Sequence, residues 1–142
     1  MKRLLVAVDG SSRAPTVVAA AARLAELTHG KLVLYRAIGI PLDMPHEILN
    51  LMDRSLEDVL IGNAHAELER IAASLPADRV ERIVTPFATA WDGICRTARE
   101  LDVDLIVIGS HGYSGLDRVL GTTAAKVVNH ADRNVLVVRT LL

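Results

Sequence analysis

Asp104-Leu105-Ile106-Val107-Ile108-Gly109-Ser110-His111-Gly112 is a run of bulky aliphatic residues that stops abruptly at a glycine turn. An unbroken apolar run of this length predicts a strand buried on both faces, the situation of a parallel sheet covered by helices above and below. The same pattern opens the chain, where Leu4-Leu5-Val6-Ala7-Val8 stops at Asp9-Gly10-Ser11-Ser12. It recurs at the end, where Asp132-Arg133-Asn134 leads into Val135-Leu136-Val137-Val138. A strand from Lys31 to Ile38 and a weaker one from Val80 to Thr85 complete the set. Glu81, Arg82 and Pro86 make that weaker strand an edge strand, because proline has no N–H to give to a neighbour.

Helical spacing fills the intervals. Ser12 is a candidate cap, Pro15 suits a first turn, and Val17, Ala21, Leu24 and Thr28 keep the period until His29-Gly30 ends it. Gly39, Pro41 and Pro45 exclude regular structure until about Ile48. From Ser55 to Leu75 the apolar positions Leu60, Ala64, Leu68, Ile71 and Leu75 predict the longest helix. Trp91 to Leu101 and Thr123 to Ala131 supply two more. The resulting βαβαβαβαβ order predicts a single doubly wound α/β domain over residues 1–142, with a five-stranded, mainly parallel sheet flanked by four helices. Sheets of this kind take ligands beyond the carboxyl ends of their strands, where the winding direction reverses.

Composition narrows the function. The 142 residues carry a formal charge of −1 with acids and bases interspersed, which leaves no electrostatic footprint for nucleic acid. The first apolar run, Leu4 to Val8, is far too short for a signal sequence or a membrane span. Membrane insertion is therefore not expected. Cys95 is the sole cysteine, so no internal disulfide forms, and a reducing cytoplasmic location fits. On its predicted helix it reads as a small buried hydrophobe.

The chemistry concentrates in Gly109-Ser-His-Gly-Tyr-Ser-Gly-Leu-Asp-Arg-Val-Leu-Gly-Thr-Thr123. Gly109 and Gly112 let the backbone turn tightly after a strand. Gly121, Thr122 and Thr123 present amides and hydroxyls at the positive end of the last helix. Phosphate oxygens suit such a place. Asp9 can accept hydrogen bonds from ribose hydroxyls or an exocyclic amine, and it can equally serve as a helix cap. His111 has no carboxylate or second histidine beside it in sequence, so loop packing or a ribose contact fits better than catalysis. Trp91 reads as an anchor for a helix start. Arg118 and Lys126 read as solvated, although Arg118 lies within the glycine segment.

These segments together resemble the universal stress protein family. The resemblance is carried by Val6-Ala7-Val8-Asp9-Gly10-Ser11, by Asp104 to Gly112, by Gly121-Thr122-Thr123, and by Asn134-Val-Leu-Val-Val-Arg139. The family signature has glycine, two residues, glycine, nine residues, then glycine with serine or threonine. Here the second gap holds eight residues, and Ala88-Thr89-Ala90 stands where members often have Gly-x-Pro. The resemblance implies a Rossmann-like fold of the adenine nucleotide alpha hydrolase-like kind. It also implies an adenine nucleotide as ligand, ATP or AMP or ADP, with or without magnesium. Matching by position assigns Val8, Asp9 and Ala37 to the adenosine part, and Ile108, Gly109, His111, Gly112, Gly121, Thr122 and Thr123 to ribose and phosphates. A homodimer through the strand Val135 to Val138 is implied as well.

The expected role is a stress-response or signalling regulator acting through nucleotide-dependent dimer or partner contacts. A nucleotide-independent dimeric interaction protein on the same fold is the alternative. A slow ATPase is a third reading, but no catalytic set is apparent and Gly-x-x-x-x-Gly-Lys-Ser/Thr is absent. Catalytic residues and metal ligands are accordingly assigned to none.

Overall fold

A computed structural model describes residues 2–39, 54–110 and 120–139. The strands are β1 (Arg3–Ala7), β2 (Lys31–Tyr35), β3 (Val80–Val84), β4 (Leu105–Gly109) and β5 (Asn134–Val138). The helices are α1 (Ala14–Thr28), α2 (Arg54–Ala73), α3 (Ala90–Glu100) and α4 (Thr122–His130). All four strand pairings are parallel, in the order β3-β2-β1-β4-β5. Chain order runs outward from β1 to β3 on one side and through β4 to β5 on the other. The reversal therefore falls between β1 and β4, and β3 is an edge strand as its charges predicted.

Strand alternation divides the core. Leu4, Val6, Leu32, Leu34, Leu105 and Val107 face α1 and α2, where they meet Val17, Val18, Ala21, Ala25 and Leu68. Leu5, Tyr35, Ile106 and Ile108 face the opposite way and meet Ile94, Cys95 and Ala98 of α3 and Ala124 and Val127 of α4. Leu4, Leu5, Leu32, Leu34 and Ile106 are completely enclosed. Truncating any one of them would cost about 2–5 kcal/mol, because the interior cannot collapse onto the space left. Cys95 is buried within the second layer, and desolvation pushes its thiol up. No helix among the described residues is long and apolar enough to cross a membrane.

Several element ends differ from their sequence expectation. Ser12 does not cap α1; Arg13 occupies that position and makes no side-chain cap bond. Ser11 closes a turn ahead of the helix: its Oγ donates to Asp9 Oδ1 at 2.6 Å and accepts the Arg13 N–H at 3.2 Å. At the other end His29 adopts the left-handed conformation, with φ 56°, and the Gly30 N–H donates to Ala25 O at 2.8 Å. Strand β2 ends at Tyr35 rather than Ile38, which forms only an isolated bridge with Phe87. Pairing nonetheless continues past the strand, because Pro86 lends its carbonyl to the Ile38 N–H at 2.9 Å. The irregular stretch expected between Gly39 and Ile48 lies outside the described residues beyond Gly39.

The amino-terminal end of the sheet is tied by charge. Arg3 makes a two-pronged contact with Glu81, both prongs at 2.7 Å, and joins β1 to β3. Asp104 accepts the backbone N–H groups of Lys2 and Arg3 at 2.7 and 2.9 Å. Those bonds, that from Arg3 foremost, hold its carboxyl below the ordinary carboxylate range. A depressed folded-state value means that the contribution to stability is present above the unfolded-state value and lost as pH falls through the folded one. Asp104→Asn should therefore be less stable than the parent at neutral pH. The gap between the two should close as pH drops below about 4 in a series of urea melts.

Candidate functional site

The carboxyl ends of β2, β1 and β4 lie side by side, so the topology alone brings Ala37, Asp9 and Gly109 to one end of the sheet. At β1 the Val8 N–H donates to Tyr35 O at 2.8 Å, which carries the ladder one residue beyond the strand. Val8 itself is buried, so only its carbonyl and the following turn are available to a ligand. Asp9 is exposed. Its Oδ1 receives the Ser11 N–H at 3.0 Å and the Ser11 hydroxyl, which fixes the carboxylate in the turn between β1 and α1. Asp9 is thus neither a helix cap nor buried.

On the β4 side, Ile108 is enclosed in the α3–α4 layer and can offer a ligand only its backbone. Gly109 lies against α1, and a Cβ there would sit 3.1 Å from Val17 Cγ2. The glycine therefore permits the close approach of β4 to the first turn of α1. The next residue, Ser110, is 2 % exposed, and its N–H donates to Val138 O at 2.9 Å. Its carbonyl accepts the Gly121 N–H, also at 2.9 Å. One hydrogen bond thus joins the turn after β4 to the start of α4 across the intervening segment. His111 and Gly112 lie outside the described residues.

That bond also corrects one expectation. Gly121 is the N-cap of α4 and commits its own amide to Ser110, so it cannot offer that amide to an anion. The first intrahelical bond runs from the Ala125 N–H to Gly121 O at 2.9 Å. Thr122, Thr123 and Ala124 consequently carry the amides that an α-helix leaves without internal partners, at the positive end of its dipole.

Ser110 was passed over as a site residue. Its Oγ is buried without a hydrogen-bond partner, a state that native structures rarely leave unexplained. A serine between two turn glycines was the available signal. Arg36 was also passed over. Its guanidinium pairs with Glu67 of α2 and lies over Gly10, with Nη2 2.9 Å from where a Cβ would be.

Two hollows adjoin these residues. One, of about 550 Å³, runs between α1 and α2 and is lined by Asp9, Ser11, Pro15, Val18, Glu67 and Ile71 among others. The other, of about 250 Å³, lies at the end of β2 and includes Arg36, Ala37, Leu60, Asn63 and Glu67. Glu67 borders both. Trp91 lies elsewhere: its ring is 4.8 Å from that of His130 and carries Lys126 Nζ 5.6 Å from its centroid, so it fastens α3 to α4. Lys126 is thereby engaged with an indole, while Arg118 lies outside the described residues. Among the described residues no three of His, Cys, Asp and Glu gather as metal ligands would.

The model of the universal stress protein family matches residues 1–139. Universal stress protein A homolog 1 of Coxiella burnetii is 29% identical over 138 residues, covering 96% of this chain and 95% of that protein. The solved structure of a universal stress protein in complex with cAMP is similar with a TM-score of 0.64 and 23% identity, covering 99% of this chain and 98% of the other. That of the Archaeoglobus fulgidus universal stress protein in complex with dAMP gives 0.60 and 21%, covering 98% of both.

Proposed function

The chain belongs to the universal stress protein family, and on that premise we propose that it binds an adenine nucleotide at the β1–β4 reversal and acts as a regulator rather than a catalyst. The observation that carries this reading is the bond from the Gly121 N–H to Ser110 O. It holds the start of α4 against the turn that ends β4, so the first-turn amides of Thr122, Thr123 and Ala124 and the buried Ser110 hydroxyl, unpartnered among the described residues, come together at the proposed opening. A phosphate group there completes the buried hydroxyl and meets the helix dipole. Asp9, across the opening on β1, meets the ribose hydroxyls. Ala37, at the end of β2, borders the hollow that takes the base. ATP, ADP and AMP all carry the groups this arrangement recognises, and the adenine nucleotides named with the two solved relatives support the class.

Regulation follows from linkage: a nucleotide that prefers one state of the protein stabilises that state. The proposed readout is a cytoplasmic stress-response dimer paired through β5. That strand is at the sheet edge, and Leu136 on it is 38% exposed. A ligand at a hundred times its dissociation constant stabilises the fold by about 2.7 kcal/mol. For a domain of this size that is a rise in Tm of roughly 5–10 °C. Differential scanning fluorimetry with millimolar ATP, ADP and AMP, each with and without magnesium, reads it directly. No rise with any of them rejects nucleotide binding.

A further inference from the structure

A nucleotide base gains affinity from a flat partner to stack on, and the described aromatic residues do not supply one. Tyr35 is enclosed in the α3–α4 layer, Trp91 is committed to His130 and Lys126, and neither these nor Phe87 line either hollow. The planar group present is the guanidinium of Arg36. It stands at the end of β2 beside Ala37, borders the smaller hollow, and is held from two sides. Nη1 pairs with Glu67 Oε2 on α2, and Nη2 lies over Gly10 in the β1–α1 turn. Of the ion pairs among the described residues, the others lie along helix surfaces or at the amino-terminal end of the sheet. An arginine fixed by a carboxylate loses little freedom when it stacks, and its weakly hydrated plane suits a π-face.

We propose that Arg36 is a specificity-determining residue of this site, the surface on which the base of the bound nucleotide stacks, and that Glu67 and Gly10 position it. The inference rests on the nucleotide-binding reading above. Gly10 matters because a methyl group there would meet the far end of a flexible side chain. Gly10→Ala therefore displaces the guanidinium while disturbing the fold little. Arg36→Lys keeps the charge and removes the plane.

NMR titration of the ¹⁵N-labelled protein with AMP and with ribose 5-phosphate, which has the sugar and phosphate but no base, separates the contributions. Arg36→Lys and Gly10→Ala should each weaken AMP about tenfold and leave ribose 5-phosphate unchanged. Equal AMP affinity in parent and Arg36→Lys overturns the proposal, and so does an equal loss for both ligands. A parent protein that binds AMP in neither titration nor melt overturns nucleotide binding itself, a different failure.

Discussion

Gly93→Ala is expected to destabilise the protein by about 1–3 kcal/mol, although alanine is ordinarily the better helix former by about 1 kcal/mol. The reason lies across the core. Gly93 is buried in the first turn of α3, and a Cβ on it would overlap the Tyr35 hydroxyl while lying 3.1 Å from Ala88 Cβ. Tyr35 cannot retreat, being 1% exposed at the end of β2. Its hydroxyl has no hydrogen-bond partner, since the nearby Thr97 side chain falls short of bonding geometry, and burial pushes its ionisation up to about 12. Tyr35→Phe alone removes an unpartnered polar atom and should be close to neutral. In that background the nearest tyrosine-ring atom left to a new Cβ is Cζ, at 3.4 Å, an ordinary contact. Gly93→Ala should then lose most of its cost. Urea melts of the two single variants and the double variant measure the coupling. Additive effects would refute the clash.

Gly109→Val should lose both stability and nucleotide. A Cβ there would sit 3.1 Å from Val17 Cγ2 in the first turn of α1, so the two further methyl groups of valine should press β4 and α1 apart. Overpacking of this kind costs about 1–3 kcal/mol. The displacement falls where β1 and β4 diverge, between the Asp9–Ser11 turn and Ser110, so AMP affinity should fall by about tenfold or more. Isothermal titration at a temperature where the variant is fully folded separates the two losses. A variant that melts early yet binds AMP as tightly as the parent would mean that the ligand does not use this opening.

The architecture was legible because β1 and β4 announce themselves as unbroken apolar runs ending in turn residues, and because helical spacing filled every interval. The parallel sheet followed from connection rules, and the edge position of β3 from Glu81, Arg82 and Pro86. Local capping was misread at Ser12, because Asp9 and Ser11 form a turn of their own and leave α1 to start without a side-chain cap. At the site, the family resemblance pointed to the carboxyl ends of β1, β2 and β4, which the topology sets side by side. What it left out depends on distance through space. Arg36 looks like any solvated arginine until Glu67 and Gly10 are seen to hold it. Ser110 looks like a turn serine until its enclosure is known. Gly93 reads as a weak point in a helix until Tyr35 is placed opposite it. Gly121 illustrates the reverse case: the resemblance assigns it to phosphate, but its amide serves the protein.

The convergence of the turn after β4 with the start of α4 is tested most directly by the amide spectrum of the ¹⁵N-labelled protein, titrated with AMP beside the Gly109→Val variant. The parent should show saturable shifts at Ser110, Thr122, Thr123 and Ala124 and at the Asp9–Ser11 turn, with one common dissociation constant, and the variant should show them only at far higher AMP. Shifts confined to the α1–α2 groove, or none at Thr122 to Ala124 under saturation, would contradict it.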